Sequence, residues 1–136
     1  MGRKAAREGA MKLLFQMELN GDFSPEAKSV FFENFTYDDL ERQYIEDAYK
    51  SIIEHKDEID KSIEDNLEGW SIYRLAKVDL AILRIAIYEI LYRKDIPIEV
   101  SINEAIEIAK KYSNLDSFKF INGVLGGFVR SLEDKK

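Results

Sequence analysis

The chain has no cysteine, one histidine, one tryptophan and two prolines in 136 residues. Without cysteine there can be neither disulfides nor thiolate metal ligands, which excludes the small secreted disulfide scaffold and the zinc ribbon together. A reducing cytoplasm is the expected compartment. Long unbroken hydrophobic runs are missing as well. The most apolar window, residues 75–92, is interrupted by Lys77, Asp79, Arg84 and Glu89. Each charge at bilayer depth costs roughly 2.5 to 3.5 kcal/mol, so no membrane span is expected. The basic N-terminus reaches Met11–Phe15 without a small-residue cleavage site, and no signal peptide is expected either.

Catalytic groups are equally scarce. His55 stands between Glu54 and Lys56 and reads as a solvated surface residue. Glu104 and Glu107 could share a helix face, but a di-iron bundle also needs Glu-x-x-His pairs, and Ile52 occupies the position three before the only histidine. Gly123, Gly126 and Gly127 do not follow a strand and make no dinucleotide phosphate cradle. Neither an enzyme nor a bound cofactor is expected.

What is present is charge, unevenly placed. The formal net charge is −6. Residues 1–12 carry Arg3, Lys4, Arg7 and Lys12 against Glu8, a local +3, whereas residues 20–68 carry fifteen carboxylates against five cations, a local −10. Attraction to phosphates is screened beyond about 8 to 10 Å at physiological salt. A basic patch can therefore bind nucleic acid on an acidic protein, provided the acidic middle faces elsewhere.

Nearly every segment reads as helix. Ala6, Ala10, Leu13, Leu14 and Met17 form one stripe of a first helix over 5–19, ending near Asn20 and Gly21. Ser24 with Pro25 starts a second, which carries Val30, Phe31 and Phe35. Thr36 is the expected cap of a third helix of about 30 residues and about 45 Å. Its stripe, Leu40, Tyr44, Ala48 and Ile52, then Ile59, Ile63 and Leu67, shifts phase near His55, which predicts a bend or two differently packed faces. Gly69 is the expected stop. Ser71 offers a cap, with Trp70 and Leu75 as a hydrophobic staple, and Val78, Asp79 and Leu83 repeat that arrangement. Residues 80–92 are apolar almost all round, the pattern of a helix at the centre of a bundle. Pro97 ends that region. Ser101 with Glu104 spells a capping box for a helix burying Ile102, Ala105, Ile106 and Ala109, and a last helix begins near Asp116 with Phe120, Val124 and Phe128. Its three glycines each cost about 1 kcal/mol against alanine. Close approach to a neighbouring helix is the expected reason for them. A small all-α domain spanning 1–136 follows.

Arg3, Lys4 and Arg7 open the first helix, and spacings of 4 and 5 put Arg3, Arg7 and Lys12 on overlapping parts of one side. This is either a solvated terminus or an arginine-rich segment that orders against RNA phosphates. Phe15, three residues beyond Lys12, is either core or a stacking face. Phe118 and Phe120 flank Lys119 two residues apart, so both cannot face the core of a helix. An exposed one would be a platform for an unpaired base.

Four ordered blocks resemble the NusB family of bacterial transcription antitermination factors: W-S-x-x-R from Trp70, V-D-x-x-I-L-R-I-A-x-Y-E from Val78 to Glu89, I-N-E-A-I-E-I-A-K from Ile102, and K-F-x-N-G-V-L from Lys119. The resemblance implies a compact bundle of about seven helices in two subdomains. It further implies binding to single-stranded boxA RNA together with NusE, a small-subunit ribosomal protein, and loading onto RNA polymerase with other Nus factors to read through terminators in ribosomal RNA operons. Carried over by position, the RNA contacts are Arg3, Lys4, Arg7, Phe15, Asp116, Lys119, Phe120 and Asn122. Arg84 is a further contact, or else a buried ion pair with Glu89 or another helix. Asp65, Glu68 and Asp79 are the carboxylates expected to meet the basic partner.

Two features depart from the family's pattern. The basic tail is short, which implies weaker intrinsic RNA affinity and more dependence on NusE, and Gly126 and Gly127 stand where longer side chains are common. Two other readings start from the same residues. One is a fragment of a ribosomal RNA cytosine methyltransferase, whose catalytic domain has no room after Lys136. The other is a helical bundle that forms a homodimer through the exposed first-helix surface.

Overall fold

The structure, a computed structural model, describes residues 2–69, 71–114 and 116–134. Trp70, and with it the staple expected against Leu75, lies outside the described residues. Seven α-helices account for most of the chain: α1 (Gly2–Asn20), α2 (Pro25–Asn34), α3 (Asp39–Glu54), α4 (Lys56–Glu64), α5 (Lys77–Tyr92), α6 (Ile98–Tyr112) and α7 (Ser117–Asp134), with one 3-10 turn at Ile72–Arg74 before α5. No strand occurs among the described residues, and no described helix is long and apolar enough to cross a membrane.

Most boundaries have local causes. Gly21, at φ 62°, takes the left-handed conformation that ends α1. The Ser24 hydroxyl accepts from the Ala27 backbone N–H with Pro25 at the first helical position. Asp38, not Thr36, caps α3: its carboxylate accepts from the Glu41 N–H while Glu41 reaches back to the Asp38 N–H. That reciprocal pair satisfies two donors where a lone threonine would satisfy one. The expected long third helix is two helices broken at His55, where the stripe changes phase. His55 is half-buried there rather than freely solvated. It stacks on Tyr92 with ring centroids 4.3 Å apart, and its Nδ1 lies 2.9 Å from the Ser51 carbonyl. Ser71 caps the 3-10 turn, accepting from the Tyr73 N–H.

The capping box expected at Ser101 and Glu104 does not form. Pro97, whose fixed φ and missing N–H suit a helix start, opens α6 earlier. Ser101 therefore lies inside the helix and is buried. Close approach holds for only one of the three α7 glycines. A Cβ on Gly127 would lie 2.5 Å from Asn66 Oδ1, whereas Gly123 faces open space and Gly126 meets only the Arg130 guanidinium. A second close approach is at Gly9 on α1, where a Cβ would lie 2.7 Å from Ile45 Cδ1 and 2.8 Å from the Tyr37 ring.

Helices α1, α2 and α3 pack as one group and α4, α6 and α7 around the other end, with α5 touching α1, α3, α4, α6 and α7. Ten successive residues of α5, Ala81–Ile90, are buried. Its three buried charges stand five residues apart, which turns each about 140° from the last, and each is met by a different neighbour. Asp79 accepts from the Ser113 and Ser117 hydroxyls at 2.9 and 3.1 Å. Arg84 donates to both oxygens of Asp60 on α4 at 2.8 and 2.9 Å and to Glu18 on α1 at 2.6 Å. Glu89 accepts from Arg7, Tyr44 and Ser101, on α1, α3 and α6. Apolar packing alone would leave a uniformly greasy helix free to rotate. Three polar ties in three directions set its rotation and register.

Candidate nucleic-acid and partner interface

At the N-terminal turn the structure separates residues that spacing had grouped. Arg3 is exposed, with its Nη1 3.9 Å from Asp95 in the α5–α6 loop, and Lys4 is exposed beside it. Arg7 points inward. Its Nε and Nη2 donate to the Glu89 carboxylate at 2.7 and 3.2 Å, and its Nη1 lies 3.6 Å from Glu104. Only 5% of Arg7 and 1% of Glu89 is exposed. Arg7 therefore cannot meet a phosphate, because its planar fork is spent on a carboxylate inside the protein. Arg84 is likewise removed from the surface. It is the buried ion pair of the two readings, with Asp60 and Glu18 as partners rather than Glu89. Phe15 is half-buried against the core.

The start of α7 lies beside the segment that precedes α5, and between them is an open groove of about 700 Å³. Asp116, Lys119 and Phe120 line it from α7 and its connector, and Glu68, Arg74 and Asp79 line it from the other side. Lys119 is exposed, Phe120 half-buried, and Asn122 exposed on the next turn. Phe118 and Phe120 are both half-buried on different sides of α7: Phe118 meets Lys110 of α6, its ring 5.2 Å from the ammonium, and Phe120 faces the groove.

Of the three carboxylates expected to meet a partner, Asp79 is not available. It is 6% exposed at the groove floor, where the two serine hydroxyls occupy its oxygens. Glu68 is exposed on the groove wall, and Asp65 is exposed and paired with Lys61 at 3.1 Å. Asp65 opens onto a second concavity of about 460 Å³, lined among others by Glu18, Asp57, Asp60, Glu64 and Tyr73. The Ile72–Arg74 turn is the ridge between the two concavities, with Tyr73 on the side of the second and Arg74 on the groove side.

Three groups on this ridge and across the groove from it escaped sequence reasoning. Arg74 and Arg130 line the groove, and neither has a carboxylate partner among the described residues. Tyr73 is 82% exposed, unusual for a large aromatic. Arg74 stood in the W-S-x-x-R block, yet nothing in one sequence says that a turn residue and a residue of the last helix line one groove. Among the described residues, no cluster of His, Cys, Asp and Glu is arranged to hold a metal ion.

The NusB family model matches residues 4–130. A transcription antitermination protein NusB from Acetivibrio thermocellus is 48% identical over 130 residues, covering 96% of this chain and 90% of that protein. The solved NusB of T. maritima superposes with a TM-score of 0.85 at 41% identity, over 94% of this chain and 90% of that one. A crystal structure of the antitermination factors NusB and NusE in complex with dsRNA superposes with a TM-score of 0.83 at 29% identity, over 96% and 97%.

Proposed function

The chain belongs to the NusB family, and from that membership we propose that it is a transcription antitermination factor acting as an RNA and protein adaptor without a catalytic step. In this reading the whole chain, 1–136, is one cytoplasmic binding domain. It holds single-stranded boxA RNA together with NusE and joins RNA polymerase and other Nus factors to promote read-through of terminators, notably in ribosomal RNA operons. Arg3 and Lys4 meet phosphates. Lys119, Phe120 and Asn122 contact RNA at the α7 end with Asp116 beside them, and Phe15 contributes at the first helix. Glu68 and Asp65 face the basic partner.

One observation carries the reading: Asp116, Lys119 and Phe120, expected to bind RNA, and Glu68, expected to bind protein, line a single groove, and Asp65 opens onto a second concavity across the Ile72–Arg74 ridge. A lysine- and arginine-rich partner seated on the ridge would neutralise Glu68 and Asp65. It would also lie within reach of RNA held by Lys119, Arg74 and Arg130. Charge complementarity of that kind accounts for an RNA-binding protein that is acidic overall.

The test is fluorescence anisotropy of a labelled boxA RNA, a scrambled strand and a duplex, with and without NusE, at two salt concentrations. Sequence-dependent binding to the single strand that NusE tightens is expected, and linkage requires that RNA tighten NusE by the same factor. Equal binding to boxA and scrambled RNA with NusE present would overturn the proposal. Sedimentation of the free chain decides whether a homodimer competes.

A further inference from the structure

Between the N-terminal turn and the α7 block lies a surface that the motif blocks touch only at Lys110. Tyr112, the last residue of α6, is half-buried, and its hydroxyl donates to Glu8 on α1 at 2.6 Å. Lys111 Nζ lies 3.0 Å from the same carboxylate. The ammonium groups of Lys12 and Lys111 stand 5.7 and 5.3 Å from the centroid of the Tyr112 ring. One residue back, Lys110 stands 5.2 Å from the ring of Phe118. Three lysines thus stand over two aromatic rings side by side where α1, α6 and α7 meet.

Such contacts can simply brace a helix junction, at about 0.5 to 1 kcal/mol each when exposed. Three observations point further. The Lys111 side chain is 59% exposed, so its pair with Glu8 is weak and it can leave the ring at small cost, and Lys12 stands half-buried on the same ring. The Tyr112 ring, by contrast, is held in place through its hydroxyl, whose bond to Glu8 does not depend on where Lys111 points. Position is the third. Lys12 lies about 13 Å along α1 from Arg3, and the Lys110–Phe118 contact leads to the start of α7, so the cluster bridges two otherwise separate RNA surfaces.

We propose that Tyr112, flanked by Lys12 and Lys111, is a stacking station for an unpaired RNA base, with the two lysines moving from the ring to the adjoining phosphates. This rests on the RNA-binding reading above. The aromatic face supplies sequence-tolerant stacking, the ammonium groups supply charge, and the station turns two contact patches into one track across α1, α6 and α7.

The experiment uses a single-stranded boxA RNA carrying 2-aminopurine at successive positions, titrated into the full chain with NusE present. Wild type is expected to change the emission at a defined position, Tyr112→Leu to lose that change, and Tyr112→Phe, which keeps the ring, to recover it. The affinity of Tyr112→Leu should fall about 5- to 150-fold, the range for one stacked base. Replacing Lys12 and Lys111 by glutamine should flatten the salt dependence by about 1.4 in log–log slope, about 0.7 per single-strand phosphate. An emission profile and affinity unchanged in Tyr112→Leu would overturn the station while leaving the RNA reading intact. Failure of the wild type to bind any RNA would overturn both. Should Tyr112→Leu fail to fold, an unchanged salt slope in the lysine pair variant overturns the station by itself.

Discussion

Replacing Arg7 with glutamine separates two roles that its sequence position leaves confounded. As an RNA contact, Arg7 could be removed at no cost to folding. The structure instead gives it the Glu89 carboxylate at 2.7 and 3.2 Å, in a site where that carboxylate is 1% exposed. Removing one partner of a buried ion pair costs about 3 to 5 kcal/mol, because the remaining charge is left without compensation. Tyr44 and Ser101 still donate to Glu89, but two neutral hydroxyls do not replace a guanidinium. A domain of this size loses about 3 to 5 °C of melting temperature per kcal/mol, so Arg7→Gln should melt about 10 to 20 °C below wild type. The total stability of such a domain is about 5 to 15 kcal/mol, which leaves the variant folded at low temperature. There its affinity for boxA RNA with NusE present should stay within about threefold of wild type. Adding Glu89→Gln should be less damaging than the sum of the two single changes, since the second removes the orphaned charge. Differential scanning calorimetry and anisotropy on the same samples decide the matter. A variant that melts like wild type and binds RNA tenfold more weakly would refute the structural role and return Arg7 to the RNA surface.

Arg84→Met should cost about 3 kcal/mol by leaving Asp60 and Glu18 facing each other, and should change RNA affinity little. Urea unfolding and RNA titration read the two effects apart. Gly9→Ala should destabilise by about 1 to 3 kcal/mol, because its methyl would collide with Ile45 and Tyr37, whereas Gly123→Ala, whose methyl enters open space, should stabilise by up to about 1 kcal/mol. Equal melting shifts for the two alanines would contradict the packing at the α1–α3 crossing. Burial alone would push the Glu8 carboxyl up, but the hydrogen bonds from Tyr112 and Lys111 outweigh it and hold the group below its usual 4.5. The stability that Glu8 contributes is therefore complete above about pH 4.5 and is lost as the pH falls through its lowered value. In a carboxyl NMR titration, Tyr112→Phe should move the Glu8 midpoint upward, and an unmoved midpoint would show that the hydroxyl does not hold it.

Much of the architecture follows from the order of residues along the chain. The apolar stripes, the Ser24–Pro25 start, the phase shift at His55 and the apolar run of α5 are local or periodic properties, set by backbone sterics and by which side of a helix must leave water. The all-α class and the family's motif blocks were legible for the same reason. Charged side chains were not. Arg3 and Arg7 are the same residue type one turn apart, yet one lies in solvent and the other inside. Arg84, Asp79 and Glu89 sit within the motif blocks, but the hydrogen-bond partners that bury Arg7, Arg84 and Asp79 are between 24 and 82 residues away in sequence. Whether a charge is buried depends on an opposite charge or hydrogen-bond donors arriving from elsewhere in the chain, since desolvation forbids burial without them, and that arrival is decided only when the helices pack. The groove has the same origin. Arg74, Lys119 and Arg130 come to line one groove because α7 docks beside the turn before α5, an adjacency that no spacing along the chain encodes.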